Sequence, residues 1–306
     1  MAGILLAVVG PTASGKSDLA LFLAERLGGE IVNCDSLQVY RGFDIGTAKV
    51  IDEKVPHHLF DILSPSDLFT AGEYARRAAA VIAEIASRGK TPVLAGGTGF
   101  YLRALLEGLA PAPERNERLR EKLEARYPRR LHRLLKRLDP AAAARIHPHD
   151  KPKLIRAIEV CVATRRRVTD VLAEGRRGLT GFTVTKFALN PPRAALYNRI
   201  DRRTKSMFER GLVSEVHALL DQGVRPEAKP FEAPGYTEAL AVVRGSTTEA
   251  AAIESAARRT RQYAKRQMTW FRKEQGVTWL AGFGDDPQIQ AQAKQISENA
   301  TADKRR

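Results

Sequence analysis

Cysteine is scarce. Cys34 and Cys161 are the only two in 306 residues, too few for a disulfide framework, and the expectation is a chain that works in a reducing cytoplasm. No run of about 18 apolar residues occurs, so no membrane span is expected. Acidic residues are outnumbered, 35 Asp plus Glu against 50 Lys plus Arg, and a formal net charge of +15 favours a polyanionic partner. Three signatures are missing as well. The pairs His57-His58 and His147-x-His149 have no neighbouring cysteine to complete a tetrahedral zinc set. The apolar segment before Gly96 ends in Ala95, where P-loop ATPases carry an acidic residue for Mg²⁺. No Asn-Lys-x-Asp guanine signature is found. Hydrolysis of ATP or GTP is therefore a poorer reading than another use of a phosphorylated substrate.

What is present begins with a phosphate cradle. Gly10, Pro11, Thr12, Ala13, Ser14, Gly15, Lys16 and Ser17 follow the apolar run Ile4 to Val9 and precede Leu19, Ala20, Leu23, Ala24 and Leu27 at helical spacing, stopped by Gly28 and Gly29. The pattern Gly-x-x-x-x-Gly-Lys-Ser lets a tight turn aim backbone N–H groups at the oxygens of a diphosphate. Lys16 adds a point charge, the helix its positive end, and the Ser17 hydroxyl a ligand for Mg²⁺. An N-terminus of this kind resembles a short signal peptide superficially, but an apolar stretch that ends in the cradle is not expected to be removed.

Alternating elements predict an α/β fold, a P-loop parallel sheet core flanked by helices. Strands are expected at Ile4 to Val9, Glu30 to Cys34, Pro92 to Ala95 and Phe182 to Leu189, with helices from Ser17 and over about Gly72 to Arg88. After Pro111 and Pro113 the chain turns rich in arginine, leucine and alanine without a strand signal, which predicts an inserted small all-helical domain. The expected division is 1–111 with 181–296 for the core, 112–180 for the insertion, and 297–306 for a polar, disordered tail. Nothing demands more than a monomer.

Strand ends are where an open sheet gathers ligands. Asp35 with Ser36 and the turn Gly96-Gly97-Thr98 lie at two of them. Taken alone, Asp35 is a candidate Mg²⁺ ligand, helix cap or general base, and Thr98 a candidate turn-former. Between Ile253 and Lys273, helical spacing sets Ile253, Ala257, Thr260, Ala264 and Phe271 on one face and Arg258, Arg261, Lys265 and Arg272 on another, with Arg259, Arg266 and Lys273 beside them. An apolar back with a cationic front suits either phosphate contacts with a nucleic acid or a solvated face. Tyr263 and Trp270 flank that front, placed to finish the core or stack on a base. A nucleotide or small-metabolite kinase would share the cradle and the helical insertion, but a small substrate does not require the cationic helix.

Taken together the motifs resemble the tRNA dimethylallyltransferase, or tRNA isopentenyltransferase, family of bacterial type. The resemblance is carried by Gly10 to Ser17, Asn33 to Tyr40, Asp44-Ile45-Gly46-Thr47-Ala48-Lys49, Pro56-His57-His58, Gly96-Gly97-Thr98 with Tyr101, and Ala144 to Pro148. It continues through Arg156-Ala157-Ile158-Glu159, Arg199-Ile200-Asp201 with Arg203, and Thr260 to Gln267 with Trp270-Phe271-Arg272. It implies transfer of a dimethylallyl group from dimethylallyl diphosphate, with Mg²⁺, to the exocyclic amine of the adenosine beside the anticodon. Asp35 is then the base, and Lys16, Thr98 and Arg203 face the leaving group, with Arg199 a competing arginine one turn earlier. The tRNA anticodon stem-loop is expected to meet Asp35, Ser36, Leu37, Gln38, Thr98, Arg120, Lys153, Arg156, Gly235, Tyr236, Arg258, Arg261 and Lys265, those of residues 112–180 lying in the insertion. One departure stands out: Pro234-Gly235-Tyr236-Thr237 replaces the Ile-Gly-Tyr-Lys usual before a glutamate.

Overall fold

Leu5, Leu6, Ala7, Val8 and Val9 are all buried, as a strand must be when helices cover both faces of a parallel sheet. They belong to β1 (Gly3–Val9), the first element of a computed structural model that describes residues 3–302. α1 (Lys16–Leu27) follows, turning Leu19, Ala20, Leu23 and Ala24 inward. Next come β2 (Gly29–Asn33), β3 (His57–His58), α2 (Ala71–Ser87), β4 (Thr91–Gly96) and α3 (Gly99–Leu106). A purely helical stretch holds α4 (Glu117–Glu124), α5 (Pro128–Leu138), α6 (Pro140–Arg145), α7 (Lys151–Thr164) and α8 (Val168–Ala173). β5 (Phe182–Leu189) rejoins the sheet, followed by α9 (Arg193–Glu209), α10 (Leu212–Asp221), α11 (Tyr236–Val243), α12 (Glu249–Phe271), β6 (Val277–Leu280) and α13 (Pro287–Ala302).

The strand order is β3-β2-β4-β1-β5-β6, and every neighbouring pair is parallel. The carboxyl ends of β2, β4 and β1 therefore stand side by side, bringing Cys34-Asp35, Gly97-Thr98 and Gly10 to one edge of the sheet, where ligands of such folds collect. No helix among the described residues is long and apolar enough to cross a membrane.

The chain divides into two compact units, Met1–Leu105 with Thr180–Arg306, and Leu106–Leu179. The second thus begins at residue 106 rather than at the expected 112. In the first unit one apolar cluster joins the sheet to α1 and α13 through Leu6, Val8, Leu19, Phe187, Leu280 and Ile289. A second cluster seats the connection after β2 on α9 to α12. There Phe43 meets Tyr236 and Phe231 edge-on, at centroid distances of 4.9 and 5.1 Å.

The expectation of a disordered tail from Ser297 is corrected as far as Ala302, which is helical, and residues 303–306 lie outside the described residues. The composition of α13 is polar, yet Ile289, Ala293 and Ser297 recur every fourth residue and are buried. A stripe that narrow and that small in side chain is easily read as solvated tail. β6 also went unread because its four residues carry no alternation long enough to register.

The second unit closes on Leu131, Leu135, Leu154, Ile155, Ile158 and Val171. Within that core the carboxylate of Glu159 is fully buried. It accepts the Asn116 N–H at 2.7 Å, Arg120 Nε and Nη2 at 3.0 Å each, and Arg156 Nη1 at 2.6 Å. Burial pushes its pKa up, but those donors outweigh it and hold the group at about 2. Because the folded pKa lies below the ordinary value of 4.5, the stabilisation is complete above that value and is lost as pH falls toward 2. Glu159→Gln should cost about 3–5 kcal/mol of stability in chemical denaturation at neutral pH, and should flatten the acid limb of a stability profile between pH 4.5 and 2. An unchanged acid limb would show that the ion cluster contributes nothing to the fold.

Candidate active site

Residues Gly10 to Ser17 carry the chain from the end of β1 into α1. Ala13 (φ 65°) and Gly15 (φ 83°) take left-handed backbone, the conformation that turns successive N–H groups to one side and forms an anion-binding concavity. From outside, the N–H of Gly284 donates to Ser14 O at 2.9 Å and clasps the turn. The buried Ser14 Oγ has no hydrogen-bond partner among the described residues. Lys16 folds back so that its Nζ donates to Pro11 O at 2.9 Å.

Asp35 leaves the end of β2 under the control of Asn33. The fully buried Asn33 side chain accepts the Asp35 N–H through Oδ1 at 2.9 Å and donates through Nδ2 to Asp35 O at 3.3 Å and Leu59 O at 3.0 Å. Asp35 Oδ1 in turn accepts the Leu37 N–H at 2.9 Å. Its carboxylate is thus fixed by local hydrogen bonds.

Asp35 and Lys16 line a single cavity of about 260 Å³, together with Thr12, Ala13, Gly15, Ser17 and Arg203. An adjoining smaller space of about 60 Å³ shares Thr12, Asp35 and Arg203 and adds Leu37, Met207, Phe208 and Tyr263. Arg203, on α9, hydrogen-bonds through Nη2 to Thr12 Oγ1. Burial lowers the Lys16 pKa to about 8, with Asp35 opposing the shift and Arg203 reinforcing it. Burial, then Arg199, lowers Arg203 to about 10, with Asp35 again opposing. Lys16, Arg199 and Arg203 line the cavity with the carboxylates of Asp18, Asp35 and Asp52, and the two cations whose pKa burial lowers, Lys16 and Arg203, both face Asp35, which leaves room for an anionic ligand between them. Arg199 also lines this cavity, but Asp285 holds its guanidinium at 2.7 Å and it lies over Phe283. Of the two candidate arginines, Arg203 is the one tied to the cradle.

Other expected site residues are distributed unequally. Leu37 and Gln38 line the two spaces. Thr98 lines neither. Its Oγ1 accepts the Ser36 N–H at 3.0 Å and donates to Ser36 Oγ at 3.3 Å, binding the turn after β4 to the turn after β2. Gly235 lines the smaller space, whereas the expected RNA contact through Tyr236 is corrected: the side chain is fully buried. Its hydroxyl donates to Glu215 Oε1 at 2.6 Å and accepts the Gly46 N–H at 3.1 Å, while Glu215 Oε2 takes the N–H groups of Asp44 and Ile45. The motif Asp44 to Lys49 is therefore held from beneath by α10 and α11.

On α12 the buried set is Ala252, Ala256, Ala257, Ala264, Gln267 and Phe271, so Ile253 and Thr260 are less inward than expected. The cationic front is also thinner. Arg258, Lys265, Arg266, Arg272 and Lys273 are exposed, while Arg261 pairs with Asp201 and Arg259 pairs with Glu238 at 2.8 Å. In the helical unit, Lys153 is exposed beside Asp150, whereas Arg120 and Arg156 are engaged by Glu159. Sequence reasoning assigned no role to Gln267, whose amide bridges the cradle and the turn after β4. Its only signal was a polar residue one helical turn from Ala264 on the inward side.

Among the described residues no group of three or more His, Cys, Asp or Glu is arranged to hold a metal ion. A cation at this cavity would meet instead the exposed Ser17 hydroxyl at the start of α1, on the same wall as Lys16.

The family model described as IPP transferase matches residues 38–274. A tRNA dimethylallyltransferase of Solibacter usitatus (strain Ellin6076) is 56% identical over 295 residues, 94% of this chain and 96% of that protein. Among solved structures, the full-length tRNA isopentenylpyrophosphate transferase of Bacillus halodurans superposes with a TM-score of 0.71 at 39% identity, covering 96% of each chain. A eukaryotic dimethylallyltransferase acting on tRNA gives a TM-score of 0.86 at 26% identity, with 98% of this chain and 80% of that one covered.

The lowered Lys16 pKa generates a pH dependence. Below about 8 the ammonium is charged and available to an anion, and above it the free protein loses that charge. The dissociation constant for inorganic diphosphate, measured by calorimetry, should therefore rise as pH increases through about 8. Lys16→Arg should move that limb upward in pH, and Lys16→Ala should abolish it. A flat profile in the parent protein would detach Lys16 from the anion.

Proposed function

This chain belongs to the IPP transferase family of tRNA dimethylallyltransferases and transfers a dimethylallyl group to tRNA, and on that premise we propose the donor, the acceptor atom and the residues that serve each. The donor is dimethylallyl diphosphate, gripped at Gly10 to Ser17. The acceptor is the exocyclic amine of the adenosine adjacent to the anticodon, extruded from its stack into the cavity, as chemistry on a base requires. The observation that carries this reading is that Lys16, Arg203 and Asp35 line one cavity.

The chemistry explains the set. Adenine's exocyclic nitrogen is a weak nucleophile because its lone pair is delocalised into the ring. As the nitrogen bonds to the allylic carbon, the carbon–oxygen bond to diphosphate breaks and its electron pair leaves on the phosphate oxygen. Charge thus develops at the cradle, where Lys16, Arg203, the loop N–H groups and the Thr12 hydroxyl can stabilise it. Thr12 Oγ1 already accepts from Arg203, so its own proton remains to be donated. The proton shed by the amine passes to Asp35. Mg²⁺ bound at Ser17 would neutralise part of the diphosphate charge. Thr98 acts through Ser36 as a positioning residue rather than at the leaving group.

The RNA is held by phosphate contacts from Arg258 and Lys265 on α12, from Lys153 in the helical unit, and by the Asp35 to Gln38 turn. Arg120, Arg156 and Arg261 are already paired within the protein, and any RNA contact they make is secondary to that role. All the groups named belong to one chain, so a monomer suffices.

Incubating tRNA with dimethylallyl diphosphate, Mg²⁺ and the protein, followed by nucleoside mass spectrometry, should reveal a dimethylallyl gain on adenosine. A gain on another nucleoside would refute the acceptor assignment. Asp35→Asn should retain both substrates and slow single-turnover transfer by roughly 10²- to 10⁴-fold, the usual reach of a general base. A near-parental rate would reduce Asp35 to positioning. Arg258→Ala combined with Lys265→Ala should weaken tRNA binding and lower the slope of log K against log salt by about one per phosphate contact removed. An unchanged slope would return that face of α12 to solvent.

A further inference from the structure

We propose that Gln267 is a positioning residue that locks the diphosphate cradle, the turn after β4 and the RNA-facing helix α12 into one body. The inference rests on the reading of the cradle given above. Gln267 is buried, and its amide makes two hydrogen bonds of opposite sense. Oε1 accepts the Thr12 N–H at 2.7 Å, and Nε2 donates to Gly97 O at 2.9 Å. Those partners fix which end of the amide is oxygen and which is nitrogen, since a flipped amide would oppose N–H to N–H and oxygen to oxygen. The approach is also sterically closed. A Cβ on Gly97 would stand 2.2 Å from Gln267 Nε2, so the turn after β4 admits the amide only because that position is glycine.

Thr12 is where the lock meets the chemistry. Its N–H is held by Gln267 and its hydroxyl oxygen by Arg203, so the residue is pinned from both the α12 and the α9 side. Pinning the Thr12 peptide sets the pitch of the turn that Ala13 continues in left-handed backbone, and with it the direction of the N–H groups that follow. Releasing Thr12 frees the first half of the cradle and lets Arg203 follow its partner. Gly97, one residue before Thr98, connects the same amide to the Thr98–Ser36 pair that positions the Asp35 turn. Gln267 is too buried to serve as an RNA contact. It acts on the leaving group and the base through the backbone that presents them.

The test compares Gln267→Met, Gln267→Glu and Lys16→Ala in the full chain, using calorimetric binding of inorganic diphosphate with Mg²⁺, tRNA binding, and steady-state transfer. Methionine removes both bonds at similar volume. Glutamate at neutral pH keeps an acceptor for Thr12 but sets a second oxygen against Gly97 O. Each neutral hydrogen bond is worth about a factor of five, so both Gln267 variants should bind diphosphate on the order of tenfold more weakly. KM for dimethylallyl diphosphate should rise similarly, and tRNA affinity should stay parental. If Lys16→Ala weakens diphosphate binding while both Gln267 variants bind it normally, the lock is overturned and the cradle stands. Loss of diphosphate and tRNA binding together in both Gln267 variants would also overturn it, because the residue would then be general packing. If Lys16→Ala itself leaves diphosphate binding intact, the reading of the cradle fails first.

Discussion

Two buried cations that both face Asp35 set the terms for this structure. Lys16 and Arg203 repel one another across a cavity whose walls depress both of their pKa values, to about 8 and about 10. Asp35 offsets part of that repulsion for both cations, Asp18 and Asp52 line the same cavity, and Asp285 holds the third cation, Arg199. In the proposed reaction a ligand bearing linked phosphates would relieve the repulsion that remains, and as diphosphate leaves with the electron pair of the broken carbon–oxygen bond, Lys16 and Arg203 would favour the transition state over the ground state. Such an arrangement is costly in the folded protein and must be enforced by its surroundings. Asn33 clamps Asp35, and Thr12 receives Arg203, while Gly284 closes over the turn from outside.

The enforcing groups arrive from distant parts of the chain, and that separates what was legible in the sequence from what was not. Gly10 to Ser17 could be read because their function is local: glycine spacing, a lysine and a helix start within eight consecutive residues. The strands of the core could be read because a buried parallel strand is a short apolar run. Gln267 had no such signature. Its partners lie 255 and 170 residues away in sequence, and a glutamine inside a basic helix looks like one more solvated residue. Tyr236 failed in the opposite direction, because an aromatic in a motif attributed to RNA contact is in fact a core strut whose hydroxyl steadies Gly46 and Glu215. The cationic face of α12 was overcounted for a related reason. Periodicity reports which residues share a face but not which carboxylates face them, and Asp201 and Glu238 claim two of the arginines.

The same limit applies to Arg120 and Arg156. As sequence they are basic residues in a basic insertion, yet both are spent on Glu159, whose buried charge would be untenable without them. Net charge of +15 is thus a statement about the whole surface and overstates what any one patch offers. On the cationic face of α12 and just after it, Arg258, Lys265, Arg266, Arg272 and Lys273 remain exposed, and Lys153 is exposed while paired with Asp150. On the proposed reading a long RNA would engage several such positions at once, and because contacts of that kind are to phosphate, their spacing would matter more than their density.

The departure from P-loop ATPases follows from the geometry of the sheet. Those enzymes place a metal-binding acid at the end of a strand near the cradle. Here β4 lies between β1 and β2, and it ends in Gly96, where a Cβ would stand 2.1 Å from Cys34 O. Ala95 stands where those enzymes carry the acid, and at Gly96, the next residue, no side chain fits. What the missing side chain permits is the close approach of the β2 turn, sealed by the Thr98 N–H donating to Cys34 O at 3.2 Å. The carboxylate of the site therefore comes from the next strand over, at Asp35, and shares the cavity with Lys16. In the proposed reaction a carboxylate placed in this way would take the proton of the incoming amine, the step that would turn a phosphate-binding sheet toward alkyl transfer.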